Sequence, residues 1–137
     1  MTNYVTHLEC SISGKHYPAG QIHGLSEAGR PLLVRYDLDR MKGDVTKEMI
    51  ANSPANGFWR YAPMLPVTKP ESRISLGEVM TPLMPLHSSA KLLGGVAGKI
   101  IVKDEGRLPT GSFKARGLAL AVSMAHEFGL DHLAIPT

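Results

Sequence analysis

The stretch KDEGRLPTGSFKARG, residues 103–117, separates a short strand-like run from a long helical pattern. The strand-like run, Lys99–Val102, ends in three apolar β-branched residues, a composition typical of a short buried strand. Beyond residue 117, apolar side chains recur with helical spacing as far as Phe128. Gly129 follows where a left-handed helix end belongs. The pattern therefore predicts a strand, a turn and a helix in succession.

The predicted bounds are a strand over 99–103, a helix over 112–128 and a second strand over 132–136. A crossover of this kind is right-handed, and the two strands it joins are parallel. We therefore predict an α/β fold built on a parallel β-α-β unit. The apolar positions surround much of the predicted helix, which favours a helix covered on most sides. Ser112 or Thr110 is the expected N-cap.

Lys114 falls in the first turn of the predicted helix, where the helix dipole disfavours a cation. The neighbouring charge of Arg116 and apolar neighbours such as Phe113 also favour the neutral amine. A neutral amine is a nucleophile, which makes Lys114 a candidate for a Schiff base. A solvated lysine with no chemical role is the alternative, and the residues considered alone favour that alternative.

Glu105 and the run Thr110–Leu118, TGSFKARGL, resemble the cofactor attachment segment of the serine/threonine dehydratase and threonine synthase superfamily. The resemblance implies that Lys114 forms a Schiff base with pyridoxal 5'-phosphate and also acts as an acid and base. It further implies that Phe113 helps to frame the cofactor ring, with core packing as the alternative role. Arg116 and Glu105 are expected to fix the loop and not to touch substrate. The implied architecture is a fold type II, tryptophan synthase beta-like domain.

Two further segments resemble the threonine synthase family, residues 57–67 (GFWRYAPMLPV) and residues 75–83 (SLGEVMTPL). Val79 stands where that family usually has glycine, and Leu108 replaces a frequent asparagine. The implied activity is a lyase of threonine biosynthesis that converts O-phospho-L-homoserine and water to L-threonine and phosphate. A serine/threonine dehydratase-like enzyme, another pyridoxal-phosphate lyase and a non-catalytic remnant remain as alternatives.

Residues 1–36 are predicted to form a small β element, with strands at Tyr4–Leu8 and Pro31–Tyr36. The element resembles a degenerate zinc ribbon, whose ligand positions would fall at Cys10, Ser13, Leu25 and Ala28. A structural zinc site needs four thiolate or imidazole ligands, and three of these positions lack one. We therefore predict no metal in this element. A replacement set is conceivable but fits no standard spacing: His7, Cys10, His16 and His23.

Residues 37–73 are predicted to form a connecting arm with short helices, and residues 74–137 the beginning of a catalytic domain. Asp39 is the expected cap of one arm helix, which ends at Gly43, and Thr46 is the expected cap of another. The arm's aromatic and proline residues favour packing onto a domain or subunit. A short helix is also predicted over 88–93.

The chain has 137 residues, one cysteine and a formal net charge of +3. Its basic residues are scattered, which argues against a nucleic-acid surface. No apolar run approaches the roughly 20 residues that span a bilayer, and a signal peptide is not recognisable. We therefore expect a cytoplasmic protein without membrane partners. We also expect it to be the N-terminal part of a longer enzyme, inactive alone, with a homo-oligomer left open for the full-length parent.

Overall fold

The computed structural model describes residues 4–86 and 100–135. Its first element is a three-stranded antiparallel sheet with strand order β2-β1-β3. The strands are β1 (Val5–Cys10), β2 (His16–Pro18) and β3 (Leu32–Tyr36). The two predicted strands are confirmed as β1 and β3. β2 was not predicted, because three residues are too few to display an alternating pattern.

Two short helices follow, α1 (Leu38–Asp44) and α2 (Lys47–Ala51). Thr46 caps α2 as predicted, since its hydroxyl accepts a hydrogen bond from the Met49 N–H at 3.2 Å. The predicted cap of α1 is wrong. Asp37, and not Asp39, accepts the Arg40 N–H at 3.0 Å, because the helix already begins at Leu38.

The second half of the chain contains strands β4 (Leu83–Pro85) and β5 (Ile101–Lys103) and a long helix, α3 (Lys114–Glu127). The first predicted strand and the helix are thereby confirmed within two residues at each end. Gly129 has a φ of 75°, as predicted for a left-handed helix end. The predicted helix over 88–93 lies outside the described residues. No helix in the described part of the chain combines the length and apolarity needed to cross a membrane.

The predicted parallel β-α-β unit is wrong within the described ranges. Residues 132–135 form no strand and are exposed, and residue 136 lies outside those ranges. β5 pairs antiparallel with β4 instead, with Leu83 opposite Lys103. A strand of three residues offers few hydrogen bonds, and parallel pairing is slightly less stable per residue than antiparallel pairing. The fold of the described residues is a mixed α/β arrangement.

The arm that precedes β4 is held against α3 by hydrogen bonds. It contains two 3₁₀ helices, Gly57–Met64 and Pro70–Ser72. The Thr68 and Lys69 N–H groups donate to the Glu127 carboxylate at 2.9 and 3.0 Å. The Ile74 N–H donates to the Ser123 hydroxyl at 2.9 Å. These hydrogen bonds fix residues 68–74 against α3. Packing of the arm's aromatic and proline residues onto a domain or subunit stays a prediction.

The buried face of α3 differs from the broad apolar surface expected. Its buried members include Ala115, Ala119 and Ser123, which are spaced four residues apart and therefore share one face. Small side chains are required there because the backbone of the arm approaches closely enough to bond Ser123. Larger apolar residues such as Met124 and Phe128 border a cavity of about 790 Å³ shared with β1 and β3.

Candidate functional site

Lys114 is the first residue of α3, as the sequence predicts. Its backbone N–H donates to the Ser112 hydroxyl at 3.3 Å, so Ser112 satisfies one donor of the helix start. Phe113 occupies the cap position and contributes no side-chain cap. Thr110 does not cap the helix, because its hydroxyl donates to the Ser112 carbonyl oxygen at 3.3 Å. The turn therefore fixes where the Lys114 backbone begins its helical path.

The expected apolar setting of Lys114 is absent from the described residues. Lys114 is exposed, and Phe113 beside it has 69% of its surface exposed. No hydrogen bond or ion pair joins the Lys114 amine to a residue within 4–86 or 100–135. The next residue, Ala115, is buried. The arrangement presents an accessible primary amine and an accessible aromatic ring at one helix start.

A polar cluster centred on Glu105 contacts the first turn of α3 through Arg116. Arg116 donates two hydrogen bonds to its carboxylate, from Nε to Oε2 at 2.8 Å and from Nη2 to Oε1 at 3.1 Å. The Thr81 hydroxyl donates to Oε1, and the Lys103 Nζ lies 3.5 Å from the same oxygen. Lys103 also donates to the Thr81 hydroxyl at 2.6 Å. The cluster thereby links three parts of the fold: β5 through Lys103, the segment before β4 through Thr81, and α3 through Arg116.

The same contacts determine the ionisation of Glu105. Hydrogen bonds from Arg116 and then Thr81 lower the pKa of its carboxyl group to about 2. The carboxylate is therefore charged throughout the physiological range, and both of its oxygens are occupied. A carboxylate with both oxygens engaged serves to hold the loop before α3. This geometry agrees with the expectation that Glu105 and Arg116 fix the loop.

Glu105→Gln is expected to lower the free energy of unfolding by about 2 kcal/mol near neutral pH, the scale of one lost charged hydrogen bond. Because the folded pKa is depressed, the stabilisation by Glu105 is complete above its ordinary pKa and disappears as the pH falls towards about 2. The variant should therefore show a shallower loss of stability with acid over that range. Urea unfolding at several pH values measures both effects.

Glu27→Gln is the matched control for this substitution. Glu27 pairs with Lys15 at 2.5 Å, but its side chain is 72% exposed, and such surface pairs contribute little. Equal destabilisation by the two variants, or an unchanged acid profile in Glu105→Gln, would contradict the assignment.

Thr81 is a site residue that the sequence analysis missed. It is buried and joins Lys103, Glu105 and Arg116 through one hydroxyl. It precedes Glu105 by 24 residues, so no local spacing connects the two. Its place in the segment 75–83, which resembles the threonine synthase family, was the only available signal.

The predicted ribbon positions differ in their surroundings. The Cys10 thiol lies 3.1 Å from the Ser26 hydroxyl and accepts the Ser13 N–H at 3.4 Å. Hydrogen bonds from Ser13 and Ser26 lower the pKa of Cys10 to about 6. Leu25 is 67% exposed. Ser26, which lies between β2 and β3 and was not among the predicted positions, is thus the residue of that loop that contacts Cys10.

Comparison with known proteins identifies several relatives. The chain is 37% identical over 122 residues to the threonine synthase of Methanocaldococcus jannaschii, covering 89% of this chain and 29% of that protein. It is 34% identical over 129 residues to the threonine synthase of Methanosarcina acetivorans, covering 93% and 30%. A probable D-serine dehydratase of Acidovorax ebreus is 39% identical over 101 residues, covering 67% and 21%. No family model and no solved structure matches the chain.

These matches place the chain among proteins similar to threonine synthases and to probable D-serine dehydratases. Within that group, the chain is a homologue of the threonine synthases over most of its length. The chain covers about three tenths of the length of these two threonine synthases.

Proposed function

We propose that this chain is a segment of a pyridoxal-phosphate-dependent threonine synthase, which converts O-phospho-L-homoserine and water to L-threonine and phosphate. The observation that carries the proposal is the 34–37% identity to two threonine synthases over about nine tenths of the chain. Because the chain covers about three tenths of those proteins, the activity is proposed for a full-length enzyme that contains it. The 137 residues alone are proposed to be inactive.

Lys114 is the residue proposed to hold the cofactor, and the accessibility of its amine supports that role. The amine is exposed at the start of α3, and no described residue occupies it with an ion pair. Phe113 presents an exposed ring beside it, which fits a planar group. When bound, pyridoxal phosphate supplies an electron sink for carbanion chemistry. The free amine of Lys114 would accept and donate a proton at its Nζ.

The Glu105 cluster is proposed to act through position and not through contact with substrate. Its hydrogen bonds connect Arg116, one turn into α3 beyond Phe113, to β5 and to Thr81. This fixes the first turn of α3, and therefore the backbone from which Lys114 projects. Precise placement of a reacting group is itself a large contribution to rate.

A dehydratase is the second candidate, because a probable D-serine dehydratase matches 67% of the chain at 39% identity. Both proposals keep Lys114 as the attachment residue, and they differ in substrate and in the overall reaction. A purified full-length enzyme that contains this segment should release phosphate from O-phospho-L-homoserine and form threonine. Deamination of D-serine without phosphate release would replace the synthase by the dehydratase. If the enzyme shows neither activity, the result would favour a non-catalytic remnant.

A further inference from the structure

Three metal-ligating side chains converge on one face of the N-terminal sheet. β1 places His7 and Glu9 on the same side because they are two residues apart. The register of the sheet sets His16 of β2 directly opposite Glu9. One ligand atom from each of the three residues lies within 4.8 Å of the other two. Only this group in the described part of the chain meets that criterion.

The hydrogen bonds of His7 indicate which of its nitrogens faces the group. The Thr6 hydroxyl donates its one hydrogen to the Arg35 carbonyl oxygen at 3.2 Å. With its hydrogen on that carbonyl oxygen, the hydroxyl accepts from the His7 Nδ1, which lies 2.9 Å away, in the tautomer whose Nδ1 carries the hydrogen. The His7 Nε2 is buried and has no hydrogen-bond partner among the described residues. In the neutral ring, Nε2 thus presents a lone pair in the direction of Glu9.

Glu9 offers the second donor. Its Oε1 accepts a hydrogen bond from the Arg35 Nη2 at 2.5 Å, which holds the carboxylate in place. Its Oε2 lies 3.8 Å from the His7 Nε2 and 3.6 Å from the His16 Nε2. Three candidate ligand atoms therefore lie close together, beside two imidazole rings whose centroids are 3.9 Å apart at an interplanar angle of 33°. A cation held between the three atoms would take a lone pair from each. Arg35 and Thr6 are the outer partners that orient Glu9 and His7, as second-shell groups do in metal sites.

We propose that His7, Glu9 and His16 bind a divalent transition metal ion, with zinc as the best match to two imidazoles and a carboxylate. This donor set occurs in zinc sites that keep a coordination position open for water. His16 has 64% of its side chain exposed, so the ion has a path from solvent. The site differs from the ribbon positions, because Cys10 projects from the opposite face of β1. The expectation of no zinc rested on those positions and is revised by this proposal.

The test is calorimetric titration of the 137-residue chain with zinc chloride near neutral pH. One ion is expected to bind per chain. His16→Ala should weaken binding at least about tenfold, since loss of even an outer partner has an effect of that size. His16 is exposed, so this variant should keep the fold, which the circular dichroism spectrum checks. Glu9→Gln should weaken binding similarly.

Two control variants separate this site from other sources of binding. His23→Ala removes an imidazole of the same β element whose Nε2 contacts the Pro18 carbonyl oxygen at 2.8 Å, and it should bind zinc normally. Cys10→Ala should also bind normally. Absence of binding by the unmodified chain would overturn the proposal, and would leave an ion pair between Glu9 and a protonated histidine as the explanation. Binding that survives His16→Ala and Glu9→Gln, or that is lost in Cys10→Ala, would overturn it as well.

Discussion

Lys114→Ala is expected to abolish phosphate release from O-phospho-L-homoserine in a full-length enzyme that contains this segment. The variant removes the proposed attachment group and the proposed proton carrier together, so the loss in kcat should exceed about a thousandfold. Lys114→Arg should be no more active, because a guanidinium group stays protonated and cannot act as a nucleophile. A continuous phosphate assay measures both variants.

Lys47→Ala is the matched control, since Lys47 is an exposed lysine at the start of the short helix α2. It should retain the activity of the unmodified enzyme. An active Lys114→Ala enzyme would remove Lys114 from the mechanism. A deficit shared with Lys47→Ala would indicate a general effect of losing a surface lysine.

Gly57→Ala is expected to destabilise the chain by about 3 kcal/mol or more. Gly57 has a φ of 79°, which is unfavourable for any residue with a Cβ atom by about 1–2 kcal/mol. A Cβ atom at this position would also lie 1.9 Å from the Glu78 carbonyl oxygen, so the backbone would have to move. The same carbonyl oxygen accepts a hydrogen bond from the Phe58 N–H at 2.9 Å, which would be disrupted as well. Substitution therefore separates the arm from the segment before β4.

Urea unfolding followed by tryptophan fluorescence measures this effect, because Trp59 is the only tryptophan and lies in the same 3₁₀ helix. Gly43→Ala is the control. Gly43 lies inside α1 with open space around an added Cβ, and alanine there should be neutral or stabilising by up to about 1 kcal/mol. If Gly57→Ala matched Gly43→Ala in stability, the close contact with Glu78 would be contradicted.

Local signals predicted the elements that depend on local chemistry. Thr46 caps α2 through a contact three residues away, and Gly129 ends α3 through its own backbone conformation. Both could be predicted because the interacting groups are close in sequence. The position of Lys114 at the start of α3 followed from the same kind of signal, the turn residues before it.

Features that depend on distant partners could not be predicted. β5 pairs with β4 and not with a strand after α3, a choice that periodicity does not encode. The burial of α3 depends on the segment before β4. The Ile74 N–H in that segment donates to the Ser123 hydroxyl, 49 residues further along the chain. The contact of His7 with His16 depends on the register of β1 and β2, and β2 was too short to be predicted. Tertiary pairing decided each of these outcomes.

Reductive trapping tests most directly whether Lys114 carries the cofactor, as proposed. A full-length enzyme that contains this segment is incubated with pyridoxal phosphate, reduced with borohydride, digested and analysed by mass spectrometry. One phosphopyridoxyl group is expected, on the peptide that contains Lys114. Lys103 should remain unmodified, since its amine is held by Thr81 and Glu105. A label on Lys103, Lys99 or any lysine other than Lys114 would contradict the account.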